Sequence, residues 1–276
     1  MAGSFNQDRL FLSLDMDVAE TISAGNGTAA VYSRRCPGKE TGNEDSAGVV
    51  LVDHHRSVLI VADGLGGSPA GDQAARLAVA ETALAIREVA TGEHSLRVAI
   101  VDGFERANEK IQALGVGAAT TLSVVELDAS TMRPYHVGDS VIMLLGGRGK
   151  IKYQSVSHSP VGYLLEAGHL DEADAMQHED RHLVSNTVGE ANMRIEIGPA
   201  LQLAPRDTLL VATDGLADNL HVNEIVERVR RGPLDRAMQR LIDDATERML
   251  HSSEQMPSKP DDLTAILYRP STVDTA

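Results

Sequence analysis

Five stretches of this chain put a carboxylate where an apolar run starts or stops. Asp63 closes the run 58–62 and is followed by Gly64-Leu65-Gly66-Gly67. Asp214-Gly215 closes 208–213, Asp261 precedes 263–268, Glu44 and Asp45 precede 47–52, and Asp139 sits in Gly138-Asp139-Ser140. Short β-rich apolar runs read as strands, so every one of these acids lies at a strand end. Asp63 alone would pass for a turn former, because Asp-Gly is a common turn dipeptide. Gathered at one side, the acids would repel by about 3 kcal/mol per close pair at ~5 Å and an effective dielectric near 20. Such a cluster calls for cations, and oxygen donors without Cys or His select the hard ions Mg²⁺ or Mn²⁺. Two such ions sharing a carboxylate can activate a water and clamp a phosphoryl group for in-line attack.

The elements that must position these acids follow from the pattern. Runs 47–52 and 58–62, split by Asp53-His54-His55-Arg56, form an antiparallel hairpin whose open end carries Glu44, Asp45 and Asp63. Ser68-Pro69 caps a helix reaching about residue 90. A second helix over 95–114 repeats Leu96, Ile100, Phe104, Ala107 and Ile111 on one face. Strands over 120–127, 133–137, 141–145 and 150–155, joined by tight turns, predict a single antiparallel sheet. Residues 157–190 are polar and broken into short helical pieces, a flap. Strands 194–197 and 208–213, helices 222–231 and 233–251, and a last strand 263–268 complete a layered α+β architecture of two antiparallel sheets with helices outside. Residues 1–27 end in Ala24-Gly25-Asn26-Gly27 and read as an arm or an extra hairpin.

With 276 residues, 42% hydrophobic, the chain can bury one large core. Its 40 acids against 25 bases give a net charge of −15, which repels phosphate backbones and argues against a nucleic-acid partner. Cys36 is the only cysteine, so an internal disulfide is excluded and a reducing compartment expected. Neither a signal peptide nor a membrane-length apolar run is present. The expectation is a soluble, cytoplasmic protein.

Asn43-Glu44-Asp45, Asp63-Gly64-Leu65-Gly66-Gly67, Gly117-Ala118-Ala119-Thr120-Thr121, Gly138-Asp139-Ser140, His158-Ser159, Asp214-Gly215-Leu216 and Asp261-Asp262-Leu263-Thr264 occur in this order. In that order and spacing the chain closely resembles the metal-dependent protein serine/threonine phosphatases, the type 2C or PPM family, in its bacterial form. The resemblance covers about residues 28–268. It implies a four-layer α-β-β-α sandwich, two antiparallel sheets flanked by helix pairs, with a dinuclear Mn²⁺ or Mg²⁺ centre at one edge. It further implies a phosphatase domain over 28–270, including the flap at 157–190, preceded by the arm at 1–27 and followed by a tail at 271–276.

Carried over residue by residue, the resemblance makes Asp63 the carboxylate bridging both ions and the Gly64 carbonyl a ligand of one. Asp214 and Asp261 complete the other, Glu44 and Asp45 orient metal-held waters, and Asp139 helps hold a weaker third ion. The implied substrate is phosphoserine or phosphothreonine on a protein, placed there by a cognate serine/threonine kinase. The implied nucleophile is metal-activated water, with no phosphoenzyme.

Three positions depart from the family pattern. Glu40 stands where members commonly carry a phosphate-gripping arginine; Lys39 and Arg35 are the basic residues nearest to take that part. Leu65 stands where animal members place a histidine, which leaves proton delivery to water, and Val141 replaces an arginine after Gly138-Asp139-Ser140. Glu40 also points to a second reading, a regulatory or binding module that keeps the fold with weak or no catalysis.

Other motifs fall short. His178-Glu179-Asp180-Arg181-His182 matches a zinc-protease pattern, but its charged middle residues do not suit a buried catalytic helix. A cysteine phosphatase needs an arginine six positions after its nucleophile, and Gly42 stands there after Cys36. Asp15 and Asp17 with Asp214 and Asp218 suggest a haloacid-dehalogenase-type site, which needs a lysine before its late acidic motif; none lies between Lys152 and Lys259.

Overall fold

The structure, a computed structural model, describes residues 8–66, 70–90, 95–252 and 256–271. The Ser68-Pro69 cap, Gly67 and the tail beyond Ser271 lie outside the described residues. In chain order the elements begin with β1 (Arg9–Leu12), β2 (Glu20–Ala24), β3 (Gly27–Arg34), β4 (Asp45–Leu51), β5 (Arg56–Asp63), α1 (Gly71–Ala90) and α2 (Leu96–Gln112). The middle holds β6 (Leu122–Asp128), β7 (Thr131–Val137), β8 (Val141–Leu145), β9 (Ile151–Gln154), α3 (Pro160–Glu166) and α4 (Glu172–Gln177). Then come β10 (Glu196–Ile197), β11 (Leu201–Gln202), β12 (Thr208–Ala212), α5 (Asp214–Ala217), α6 (Val222–Val229), α7 (Leu234–Leu250) and β13 (Leu263–Pro270).

The strands form two antiparallel sheets, β1-β4-β5-β6-β7-β10 with β11 beside β7, and β2-β3-β13-β12-β8-β9. The alternation of side chains along a strand explains why the central runs are apolar throughout. Along β5, Val58 and Ile60 face α1 and α2 while Leu59 and Val61 face the other sheet. Along β12, Leu210 and Ala212 face α6 and α7 while Leu209 and Val211 face the first sheet. The expected apolar face of α2, Leu96 through Ile111, is buried on the first sheet. The result is the expected α-β-β-α layering with a core at each of three interfaces. No helix among the described residues is long and apolar enough to cross a membrane.

Two expectations change. The four strands after α2 do not share a sheet: β6 and β7 join the first, β8 and β9 the second. Gly138, at φ +106°, carries the chain across. Its N–H donates to His158 Nδ1 (3.1 Å) and its carbonyl accepts from the His158 N–H (3.0 Å). The turn is therefore closed by a flap residue rather than by strand pairing. In the amino-terminal segment β1 and β2 do not pair with each other; the hairpin there is β2–β3, closed by the Gly25-Asn26 turn. β1 pairs with β4 and β2 with β3, one edge strand for each sheet, because its apolar residues Phe11 and Ile22 both fill the space between the sheets.

Candidate metal centre

The β4–β5 hairpin sets Asp45 directly opposite Asp63. Two threonines hold the Asp63 backbone. Its carbonyl accepts from Thr121 N–H (2.8 Å) and Thr120 Oγ1 (2.7 Å), and its N–H donates to Thr121 Oγ1 (3.0 Å). These bonds fix the main chain and leave the carboxylate to face the neighbouring acids. Gly64 follows where the start of α1 presses in: a Cβ there would lie 2.3 Å from the Gly71 carbonyl oxygen and 2.8 Å from that of Glu44. Only glycine fits such an approach.

The second sheet brings the remaining acids. Asp214 opens α5 just beyond β12, Asp261 stands two residues before β13, and Asp139 two before β8. Thr213 ties the sheets together, donating from Oγ1 to Asp45 Oδ2 (3.0 Å) and accepting from the Thr264 N–H (3.0 Å). The other Asp45 oxygen, Oδ1, is buried without a hydrogen-bond partner among the described residues. A buried, unpartnered carboxylate oxygen is costly unless a cation or water meets it.

Electrostatics make the same demand. Burial first, and then repulsion from Asp45, Asp214, Asp261 and Asp139, holds Asp63 well above the usual carboxylate range. Burial followed by Asp262 does the same for Asp45. Asp139 is pushed up to about 8 by burial, Asp214 and Asp218; burial and Asp214 push Asp261 and Asp218 each to about 6. Lys259 answers part of this charge. Its Nζ lies 2.5 Å from Asp214 Oδ2, 2.8 Å from Asp218 and 3.4 Å from Asp261. Burial alone would lower its pKa, but Asp214 and Asp218 outweigh burial and raise it. Buried Asn219 clamps the Lys259 backbone, donating to its carbonyl and accepting from its N–H, each at 2.8 Å. One ammonium does not balance this many carboxylates, and Asp63 and Asp45 have no cation partner among the described residues. An all-oxygen, partly uncompensated donor set fits hard divalent cations.

The basic residues named for the substrate phosphate are engaged with acids. Lys39 Nζ lies 2.6 Å from both Glu44 Oε2 and Asp262 Oδ2, and Arg35 pairs with Asp15 at 3.2 Å. Asp262 also accepts from the N–H groups of Cys36 and Glu44, each at 2.7 Å, so this pair staples the 36–44 loop to the start of β13.

The sequence reading gave Lys259, Asp218, Asp262 and Thr213 no role at this site. Asp218 was findable, since it stands one helical turn after Asp214 and shares its face. Lys259 lies in a proline-flanked loop where no spacing rule aims it.

A cleft of about 380 Å³ separates Asp139, Asp214 and Asp218 from the flap residues Val161, Leu165 and Met176. Arg181 fastens the flap by donating to the carbonyls of Met176 and Ser258. Nearby, His136, His158 and Glu196 bring potential ligand atoms within 4.8 Å of one another. Hydrogen bonding argues against a metal there. His158 Nδ1 accepts from Gly138 N–H and from Asn186 Nδ2 (2.9 Å), and the Asn186 amide is oriented by both Arg194 backbone groups. Nε2 therefore carries the proton and donates to Glu196 Oε2 (3.2 Å). His158 has no lone pair to spare; it acts as a clamp on the turn that presents Asp139.

Residues 34–256 match the family described as protein phosphatase 2C. The protein phosphatase PhpP of Streptococcus pneumoniae is 31% identical over 195 residues, covering 68% of this chain and 78% of the relative. Among solved structures, a Streptococcus agalactiae serine/threonine phosphatase superposes with a TM-score of 0.75 at 26% identity, covering 87% of this chain and 98% of the other. The catalytic domain of the phosphatase PstP, solved with two manganese ions, has a TM-score of 0.70 at 22% identity and covers 87% and 96% of the two chains.

Proposed function

The chain belongs to the protein phosphatase 2C family, and from that premise we propose that it hydrolyses phosphoserine and phosphothreonine on proteins with the help of Mn²⁺ or Mg²⁺. The observation that carries this reading is Asp63, half-buried opposite buried Asp45 and pressed by Asp214, Asp261 and Asp139. Asp63 and the Gly64 carbonyl would hold one ion, with Asp63, Asp214 and Asp261 holding a second; Asp139 is the residue offered to a third. Bound there, the ions supply charge for the phosphoryl oxygens and acidity for a water.

The chain's own residues do the rest. Thr120 and Thr121 fix the Asp63 backbone, and Thr213 fixes Asp45 across the sheets. Glu44 and Asp45 orient water at the metal edge. Lys39, in contact with Glu44, stands at the phosphate side, whereas Arg35 is turned to Asp15. With Leu65 next to Gly64, solvent protonates the leaving serine or threonine. The flap cleft receives the peptide. A serine/threonine kinase in the same cytoplasm would supply the phosphoprotein.

Turnover of a phosphothreonine peptide with Mn²⁺ tests the proposal, with Asp63→Asn and chelator as controls. Full activity in either control would sink it. The engagement of Lys39 by Glu44 and Asp262, together with Glu40, favours the second reading, a fold retained for binding. Calorimetric uptake of Mn²⁺ without detectable hydrolysis would decide for that reading.

A further inference from the structure

At the ends of β8, β12 and β13 opposite the carboxylates lies a cleft of about 950 Å³. It is assembled from the β8–β9 turn, the turn before β12, the end of α6 and the end of β13. Seven basic side chains line it against one acid, Asp207, in a chain of net charge −15. Asp207 is already neutralised by Lys152 at 2.5 Å, and Arg230 pairs with Glu227 at 2.6 Å. Arg148, Lys150, Arg206 and Arg231 are exposed, and none forms an ion pair with a described residue.

Arg269 is the anchor. Half-buried, it donates only to neutral oxygens: Thr208 Oγ1 at 2.8 Å and the carbonyls of Val229 and Gly232. These bonds fix the guanidinium without cancelling its charge, and burial, with Arg240 nearby, pushes its pKa below the usual arginine range. The β8–β9 turn is likewise closed, by Gly146 N–H to the Lys150 carbonyl (2.8 Å) and Gly149 N–H to the Gly146 carbonyl (2.7 Å). The surplus positive charge is thus held in place on ordered backbone.

We propose that this cleft binds a phosphorylated segment of a partner protein, away from the hydrolytic site. Five of the seven cations are arginines, whose planar forks match phosphate and carboxylate oxygens in pairs, and clusters of this kind recognise phosphorylated and acidic motifs. No aromatic ring lines the cleft for base stacking. The acidic remainder of the molecule repels a long polyanion or an anionic membrane beyond this patch. A short segment fits where a nucleic acid does not. On the reading that the protein acts on phosphoproteins, the occupant is a second phosphorylated segment of the substrate. The two ends are about 20 Å apart at about 3.3 Å per strand residue, so a linker of at least about six extended residues would join them.

A fluorescein-labelled, doubly phosphorylated peptide titrated into the full chain in chelator tests this by polarisation. Without metal the carboxylate end repels phosphate, so binding reports the cleft and does not depend on hydrolysis. The expected outcome is saturable binding that weakens at least tenfold in Arg148→Glu/Arg206→Glu, and at least tenfold when the peptide carries no phosphate. Lys150→Glu/Arg231→Glu serves as a second variant if the first melts early. In the Mn²⁺-loaded enzyme, kcat and KM for p-nitrophenyl phosphate should stay within twofold, while KM for a multiply phosphorylated protein rises at least fivefold. Unchanged peptide affinity in both variants would overturn the proposal. So would inorganic phosphate binding as tightly as the peptide, or a single-stranded RNA binding more tightly.

Discussion

The two ends of β8, β12 and β13 carry opposite charge and solve the resulting repulsion in opposite ways. At one end Asp139, Asp214, Asp218 and Asp261 are half-buried around a single lysine, Lys259. At the other, Arg148, Lys150, Arg206 and Arg231 stand exposed, and Asp207 is the one acid among the lining residues. Water screens the exposed cations, so their mutual repulsion is small. Buried carboxylates have no such screening, and the protein itself must provide cations or leave room for them. The same strands therefore end in a site that demands counter-ions and in a patch that merely attracts anions.

The sharpest way to break this contrast is at Asp63. Asp63→Asn should lower Mn²⁺-dependent turnover of a phosphothreonine peptide by about 10²–10³-fold or more, the scale on which single charge-stabilising groups act; steady-state kinetics would show it. Thr213→Val comes next. It removes the hydroxyl bonded to Asp45 Oδ2 and Thr264 and leaves a buried carboxylate without that partner. Mn²⁺ affinity should fall about 10–100-fold, as for other residues that orient ligands, measured by calorimetry.

Lys259→Met should cost the metal-free protein about 1–3 kcal/mol, because Asp214, Asp218 and Asp261 lose their cation. Mn²⁺ should recover part of the loss. Denaturant melts with and without Mn²⁺ check this, and equal loss in both conditions would mean that Lys259 and the metal do not share the same charges. The smallest effect is expected at the basic end. Arg206→Ala should change stability by no more than about 0.5 kcal/mol, since the side chain is exposed and forms no ion pair with a described residue. A large loss there would erase the distinction between the two ends.

What could be read in advance follows the range over which each signal acts. The β4–β5 hairpin was legible because its two apolar runs, its turn and its terminal acids lie within twenty-odd residues, and antiparallel pairing alone places Asp45 by Asp63. The α2 face was legible from its helical spacing. The sheet switch at Gly138-Asp139-Ser140 was not, because a glycine turn between two strands looks the same whether the chain folds back or crosses over. His158, twenty residues on, decides it. β1 was missed as a sheet edge for a related reason: its partner β4 lies far along the chain with no local signal between them, whereas the β2–β3 hairpin is marked by its Gly25-Asn26 turn.

The sequence by itself determined the strand ends, the acids placed on them and the helix faces, since each depends on contiguous residue types and their period. Only the tertiary structure decided that Lys259 enters the carboxylates, that Lys39 is spent on Glu44 and Asp262, and that four separated segments pool their arginines at the far end. Those outcomes depend on which distant backbones meet, and burial sets the strength of every charge that meets there.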